Sequence, residues 1–177
     1  MNTLTYYGAR HVTANKPILK PEDMKGLKIR TPNAPAFQLF PQATGANPTP
    51  IAFSEVYLAL QQGVVDAQEN PLPTIQFKKF HEVQSNINLT GHIINSLATV
   101  VSGTTMTKLG AEGAATLQGV TRDAALWASG EINKSEQELV SWFREQGVNV
   151  NEVDRAPFIE AVAPHLKSAD MPFSADV

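Results

Sequence analysis

The residues of this chain whose types and spacing suit them to chemistry are an arginine on a short alternating segment and two acids three positions apart, Asp66 and Glu69. Arg30 closes the run Leu27-Lys28-Ile29-Arg30, in which apolar and charged positions alternate. A strand there turns Leu27 and Ile29 inward and puts Arg30 on the face of Lys28. Ligands of open α/β sheets bind beyond such strand ends, and a guanidinium offers a carboxylate two parallel N–H donors. An arginine solvated on a half-exposed strand satisfies the same spacing. Arg10 reads the same way, as an anion contact or as a surface charge. For Asp66 and Glu69, general acid–base work in a small α/β enzyme requires pKa values pushed apart; two solvated acids at a strand end is the plainer reading. Phe53 stands just before a helix, either stapling its first turn or walling a pocket.

Several classes of chemistry have no support. The four histidines, His11, His81, His92 and His165, form no i, i+4 pair and no HExxH, so no metal site is expected. GxGxxG, the phosphate-loop pattern and GxSxG are all absent, so neither a nucleotide cofactor nor a serine nucleophile is indicated. The absence of cysteine removes disulfides and thiolate chemistry. With 14 basic against 17 acidic residues the chain has no excess of positive charge for a phosphate backbone, so nucleic acid is not an expected partner. No run of about 18 apolar residues is present to span a bilayer. The opening MNTLTYYGARHV has neither a basic nor an apolar leader region, which leaves a cytoplasmic protein or a chain whose true start lies elsewhere.

The elements that must position these residues read as α/β layering. A strand is expected over 4–12, a helical first turn at Pro21-Glu22-Asp23, a strand over 27–30 ended by Pro32, and a helix over 35–44 kinked or shortened by Pro41. Gly45-Ala46-Asn47-Pro48 has turn chemistry. Ser54 is placed to cap a helix bearing Val56, Tyr57 and Leu60, with Gly63 as its stop. A strand is expected over 64–67, broken at Asn70-Pro71, and a helix over 74–83. Extended segments are expected over 86–90 and 97–105. From about 107 to 146 the chain turns helical, as a short helix and then a long one, because Gly110, Gly113, Gly119 and Gly130 weaken a single run. Val148 and Val150 give a last extended piece, and Asp154 caps a final helix to about Lys167.

The stretches MKGLKIRTPNAP and TGANPTPIAFSEVYLALQQGVVDAQENP closely resemble the substrate-binding proteins of tripartite ATP-independent periplasmic (TRAP) transporters, the DctP type. The resemblance runs from about Tyr7 to Leu166. It implies one α/β lobe of a two-lobed periplasmic-binding-protein clamshell plus long bracing helices. Residues 5–103 would be the carboxyl-terminal lobe with crossover strands, and 104–177 a helical segment packing along it towards an amino-terminal lobe that this chain lacks. Members run to roughly 300 residues, about two domains. The implied function is that of a periplasmic receptor which captures a small organic carboxylate, a dicarboxylate or sugar acid, and docks on the TRAP membrane subunits, without enzymatic turnover or cofactor. A ligand-sensing domain of clamshell type shares this architecture. The implied ligand contacts are Arg30 from the K-I-R-T-P segment, Asn33 from R-T-P-N, Arg10 from G-A-R, Phe53 from A-F-S-E and Asn70 from Q-E-N. Pro41 inside its helix and Ala67 before Gln68 depart from the family pattern without touching those positions.

Overall fold

The computed structural model describes residues 2–166. Strand β1 (Asn2–Ala14) is followed by a 3-10 turn at Pro21–Met24, then β2 (Lys28–Thr31), α1 (Pro35–Ala43), β3 (Asn47–Pro50), α2 (Val56–Gln61) and β4 (Ala67–Pro71). Next come α3 (Leu72–Phe77), β5 (Asn86–Val100), α4 (Gly103–Glu145), β6 (Asn149–Asn151) and α5 (Ala156–Val162). The six strands form one mixed sheet in the order β3-β2-β4-β1-β5-β6. β2 is parallel to β3 and β4, β6 is parallel to β5, and β1 is antiparallel to both β4 and β5. This is the mixed α/β fold that the alternation implies.

Each face of the sheet carries its own apolar core, because strand side chains alternate between faces. On one face Val12, Ala14, Ile29 and Ala67 pack with Ile18, Met24, Phe40 of α1 and Phe158 of α5. On the other, Ile87 meets Val56 and Leu60 of α2, Leu72 and Ile75 of α3, Phe80, and Leu139 and Phe143 of α4. The carboxyl-terminal part of α4 therefore belongs to the same core as the strands. Its other end reaches past it: Val120, Leu126 and Trp127 are exposed, as are Leu4, Ile94, Leu97 and Val100 on β1 and β5.

Helix α4 is also tied to β1 by polar contacts where that strand bulges. The register with β5 slips between Tyr6 and Gly8. There Glu136 accepts hydrogen bonds from the Tyr6 hydroxyl (2.6 Å) and the Ala9 amide (2.8 Å), and Ser129 Oγ accepts from the Tyr6 amide (3.0 Å). Gly8 adopts φ +120°, and a Cβ on it would stand 2.7 Å from Glu136 Oε1 and 2.8 Å from Pro71 Cβ. Glycine is required on both counts.

Several elements depart from their expected bounds. Asn47 and Pro48, read as the second half of a turn over 45–48, instead open a strand, Asn47–Pro50, that pairs with β2. Its prolines are tolerated because β3 is outermost: the Asn47 amide donates inward to Leu27 O (2.7 Å), so the nitrogens of Pro48 and Pro50 face away from the sheet. The strand expected over 64–67 begins only at Ala67 and runs through Asn70 to Pro71. Val64 and Val65 still donate back to Ala59 O at the end of α2, which delays extension. Ser54 does not cap α2; it lies in a 3-10 turn, Phe53–Glu55, that leads into it. The helix expected over 74–83 is α3 plus a 3-10 turn at Phe80–Glu82, parted by Lys79 at φ 59°. The segments 86–90 and 97–105 are one strand to Val100, after which Ser102 caps α4 through the Thr105 amide. Gly110, at φ 66° and ψ −178°, divides α4 into the expected short and long pieces. Asp154 Oδ1 accepts from the Ala156 amide (3.0 Å) at the start of α5. The expected end of that helix, at Lys167, lies outside the described residues.

Candidate ligand-binding site

Arg30 stands near the carboxyl end of β2, beside Gln68 of β4. It is 4% exposed. Its Nε and Nη2 both donate to the Ile51 carbonyl, at 2.9 and 2.7 Å, which fixes the plane of the guanidinium. Nη1 has no hydrogen-bond acceptor among the described residues, and no carboxylate there forms an ion pair with Arg30. Burial pulls its pKa down; the Glu69 charge opposes that pull and the Arg10 charge adds to it. A desolvated cation with its direction set and no internal counter-ion is an anion contact in waiting.

Arg10, though also buried, is committed to its own protein. Its Nε donates to Glu69 Oε2 and its Nη2 to Glu69 Oε1 (2.8 Å), the Glu69 carbonyl (2.7 Å) and Asn70 Oδ1 (3.2 Å). Nη1 donates to Asn95 Oδ1 at 2.9 Å. His92 approaches the same Glu69 oxygen at 3.3 Å while Thr90 Oγ1 meets its Nδ1 at 2.8 Å, and its ring stacks on Phe40 with centroids 4.0 Å apart. Burial pushes the Glu69 carboxyl up, yet hydrogen bonds from His92 and Arg10 and the Arg10 charge hold it below the usual range. Burial lowers His92, against the pull of Glu69. Arg10, Glu69 and His92 thus form a closed buried unit under the strand ends.

Asn70 lies between this unit and a chain of amides. Its Nδ2 donates to Gln68 Oε1 (2.7 Å), Gln68 Nε2 to Thr13 Oγ1 (3.1 Å), and Thr13 Oγ1 to Gln84 Oε1 (3.1 Å). The alternation of β4 puts Asn70 on the face of Gln68, which the register shares with Arg30. Phe53, 39% exposed, meets Phe80 edge-on at 6.2 Å and lies under two cations, Arg30 with Cζ at 5.6 Å and Lys78 with Nζ at 5.0 Å from its centroid. Asn33 is exposed in the loop from β2 to α1.

Arg30, Asn70 and Phe53 are therefore gathered around one strand end, Arg10 sits behind them, and Asn33 stands on the rim. Asp66 and Glu69 are not brought together as a pair. Asp66 is exposed and accepts from the Lys28 amide at 2.8 Å, while Glu69 is fully buried against Arg10 and His92. The spacing of His92 held no signal for its role, since it reaches Glu69 only through the register of β5. A separate cavity of about 320 Å³ between β1 and α4, lined by His11, Glu136 and Arg155 among others, includes neither Arg30 nor Asn70. Among the described residues no cluster is suited to hold a metal ion.

Residues 2–171 match the model of a family described as bacterial extracellular solute-binding protein, family 7. The chain is 44% identical over 165 residues to the sialic acid-binding periplasmic protein SiaP of Vibrio cholerae, across 93% of this chain and 51% of that one. It is 34% identical over 188 residues to the 2,3-diketo-L-gulonate-binding periplasmic protein YiaO of Escherichia coli, across 100% of this chain and 56% of that one. A TRAP periplasmic solute binding protein from Roseobacter denitrificans, solved with bound 3-deoxy-D-manno-oct-2-ulosonic acid, superposes with a TM-score of 0.88 at 37% identity, over 94% of this chain and 56% of that one. A second from the same organism, with bound L-galactonate, gives 0.88 at 34% identity, over 96% of this chain and 57% of that one. The chain spans about half the length of these relatives.

Proposed function

We propose a function from a premise already established: this chain belongs to family 7 of the bacterial extracellular solute-binding proteins. It forms one wall of a periplasmic receptor that captures a small organic carboxylate, a sugar acid above all, and delivers it to the membrane subunits of a TRAP-type transporter. The observation that carries this reading is Arg30, buried, oriented by the Ile51 carbonyl and without an internal carboxylate. The ligand's carboxylate takes the place of the missing counter-ion. Asn70 adds a hydrogen bond, Phe53 packs against the apolar side of the ligand, and Asn33 closes the rim. Arg10, held in place by Glu69 and Asn70, adds a second cationic contact.

Relatives with bound sugar acids support the ligand class. That relatives are solute-binding proteins favours capture over turnover. No helix of the described residues is long and apolar enough to cross a membrane. The division into a lobe over 5–103 and a helical segment over 104–177 facing a second wall draws support from the exposed Leu4, Ile94, Leu97, Val100, Val120, Leu126 and Trp127. A clamshell closing on the ligand by hinge motion completes the mechanism.

Calorimetric titration with N-acetylneuraminate, L-galactonate and related sugar acids tests the site. For whichever acid binds, Arg30→Ala should weaken binding by about 2–5 kcal/mol. Arg30→Lys should recover little, because the planar fork is lost. Near-native affinity in Arg30→Ala would refute the assignment.

A further inference from the structure

We propose that Lys78 makes this wall selective for acids that carry a second anionic group, so that dianionic ligands are preferred over monoanions of the same skeleton. The inference rests on the reading of Arg30 as the carboxylate contact.

The charge balance around Phe53 points this way. Arg10 and Glu69 neutralise one another in a buried pair. Arg30 and Lys78 have no carboxylate within ion-pair distance among the described residues. The one acid nearby along the chain is committed elsewhere: Glu82 pairs with Lys79 at 3.0 Å and accepts from the Tyr57 hydroxyl at 3.1 Å. One ligand carboxylate answers Arg30 and leaves the Lys78 charge over.

The geometry keeps that second charge close. Lys78 is the residue that ends α3, and Lys79 after it takes a left-handed conformation, φ 59°, that sends the chain towards Phe80. The turn separates the two lysines. Lys79 goes to Glu82, while the Lys78 ammonium lies 5.0 Å from the Phe53 ring centroid and 5.5 Å from that of Phe77. The Arg30 guanidinium lies 5.6 Å from the same Phe53 centroid. Two cations held on one ring are separated by no more than those two distances laid end to end, within reach of a short diacid or a phosphorylated sugar. Phe77 is 80% exposed, so the ammonium rests on aromatic surface open to solvent. A lysine there keeps its hydration and still attracts an incoming anion.

A lysine that merely covers two phenyl rings would occupy the same place, and the test separates the two roles. D-Glucarate and D-gluconate differ by one carboxylate on the same carbon chain, and both are titrated calorimetrically into the full chain. Wild type should bind glucarate about fivefold or more tighter than gluconate, the worth of a half-exposed ion pair. Lys78→Gln should bring that ratio to near one, and Lys78→Arg should retain it. Higher salt should compress the ratio in wild type and leave it unchanged in Lys78→Gln. Equal affinities in wild type, or a Lys78→Gln variant that weakens both acids by one factor, overturn the role of Lys78. If Arg30→Ala leaves both affinities intact, the carboxylate site itself is misassigned. If neither acid binds, the role of Lys78 is overturned, and the reading of Arg30 is then decided by the sugar acids titrated above.

Discussion

A buried guanidinium without a counter-ion destabilises the fold that holds it, and Arg30 persists in that condition while Arg10, on β1 with β4 between them, does not. The contrast is one of partners: Arg10 is paired with Glu69, whereas Arg30 has only the Ile51 carbonyl and no carboxylate within ion-pair distance among the described residues. The histidines of the same region set a testable limit on stability. Burial, reinforced by the charges of His92 and Arg155, pushes His11 down to about 3, and burial lowers His92 as well. Each unfolded imidazole takes up its proton as pH drops through about 6.5. Between about 6.5 and the folded value the unfolded state binds more protons, so stability is lost as pH falls, by about 1.4 kcal/mol per pH unit for each such group. His11→Asn keeps an acceptor for the Gly91 amide, which now donates to Nδ1 at 3.1 Å, and removes the proton site. Urea unfolding of this variant between pH 6.5 and 4 should show a visibly shallower dependence than wild type; an unchanged slope would mean that His11 is not held neutral. The strand that carries Arg30 was legible because Leu27-Lys28-Ile29-Arg30 alternates without interruption, while the reading of Arg30 as a ligand contact came from the resemblance of K-I-R-T-P and not from spacing. Glu69 was visible only as an acid near Asp66, and its real partners, 59 and 23 residues away, were hidden in the pairing of β1, β4 and β5.

At the scale of elements, the bulge in β1 is where three parts of the chain meet. Gly8 leaves room for the Glu136 carboxylate from α4 and for Pro71 at the end of β4. Gly8→Ala combines a left-handed φ with two contacts shorter than any real Cβ makes, so it should cost about 2–4 kcal/mol. It should also detach α4 from β1, and hydrogen exchange at the Ala9 and Tyr6 amides, protected by Glu136 and Ser129, should rise first. Protection equal to wild type at both amides would show that Glu136 does not anchor the bulge. The elements most legible in advance were those with local causes: the short helix from Pro35, the stop at Gly63 and the break in α4 at Gly110. The less legible ones depend on distant partners. β5 looked like two pieces because Gly91 and Asn95 interrupt its pattern, yet β1 runs beside it almost throughout. The start of β3 looked like a turn because its prolines forbid a central strand, and only the sheet order shows that β3 is outermost.

Across the whole molecule the sheet is covered by α1 and α5 on one face and by α2, α3 and the end of α4 on the other. That arrangement leaves two free edges, β6 and β3. β6 has three residues, too few to template another strand. β3 has four, and its outward nitrogens at Pro48 and Pro50 carry no hydrogen, so the rim of the sheet cannot donate to an incoming strand. Prolines that obscured the strand in the sequence thus guard the protein against fibrillar aggregation. Restoring both donors with Pro48→Thr and Pro50→Thr should leave the fold intact by circular dichroism and raise the rate of thioflavin-positive assembly at high concentration. A double variant that stays as clear as wild type under agitation would show that the rim is shielded by other means. The solubility limit is then set at two proline nitrogens on the side of the sheet away from β1.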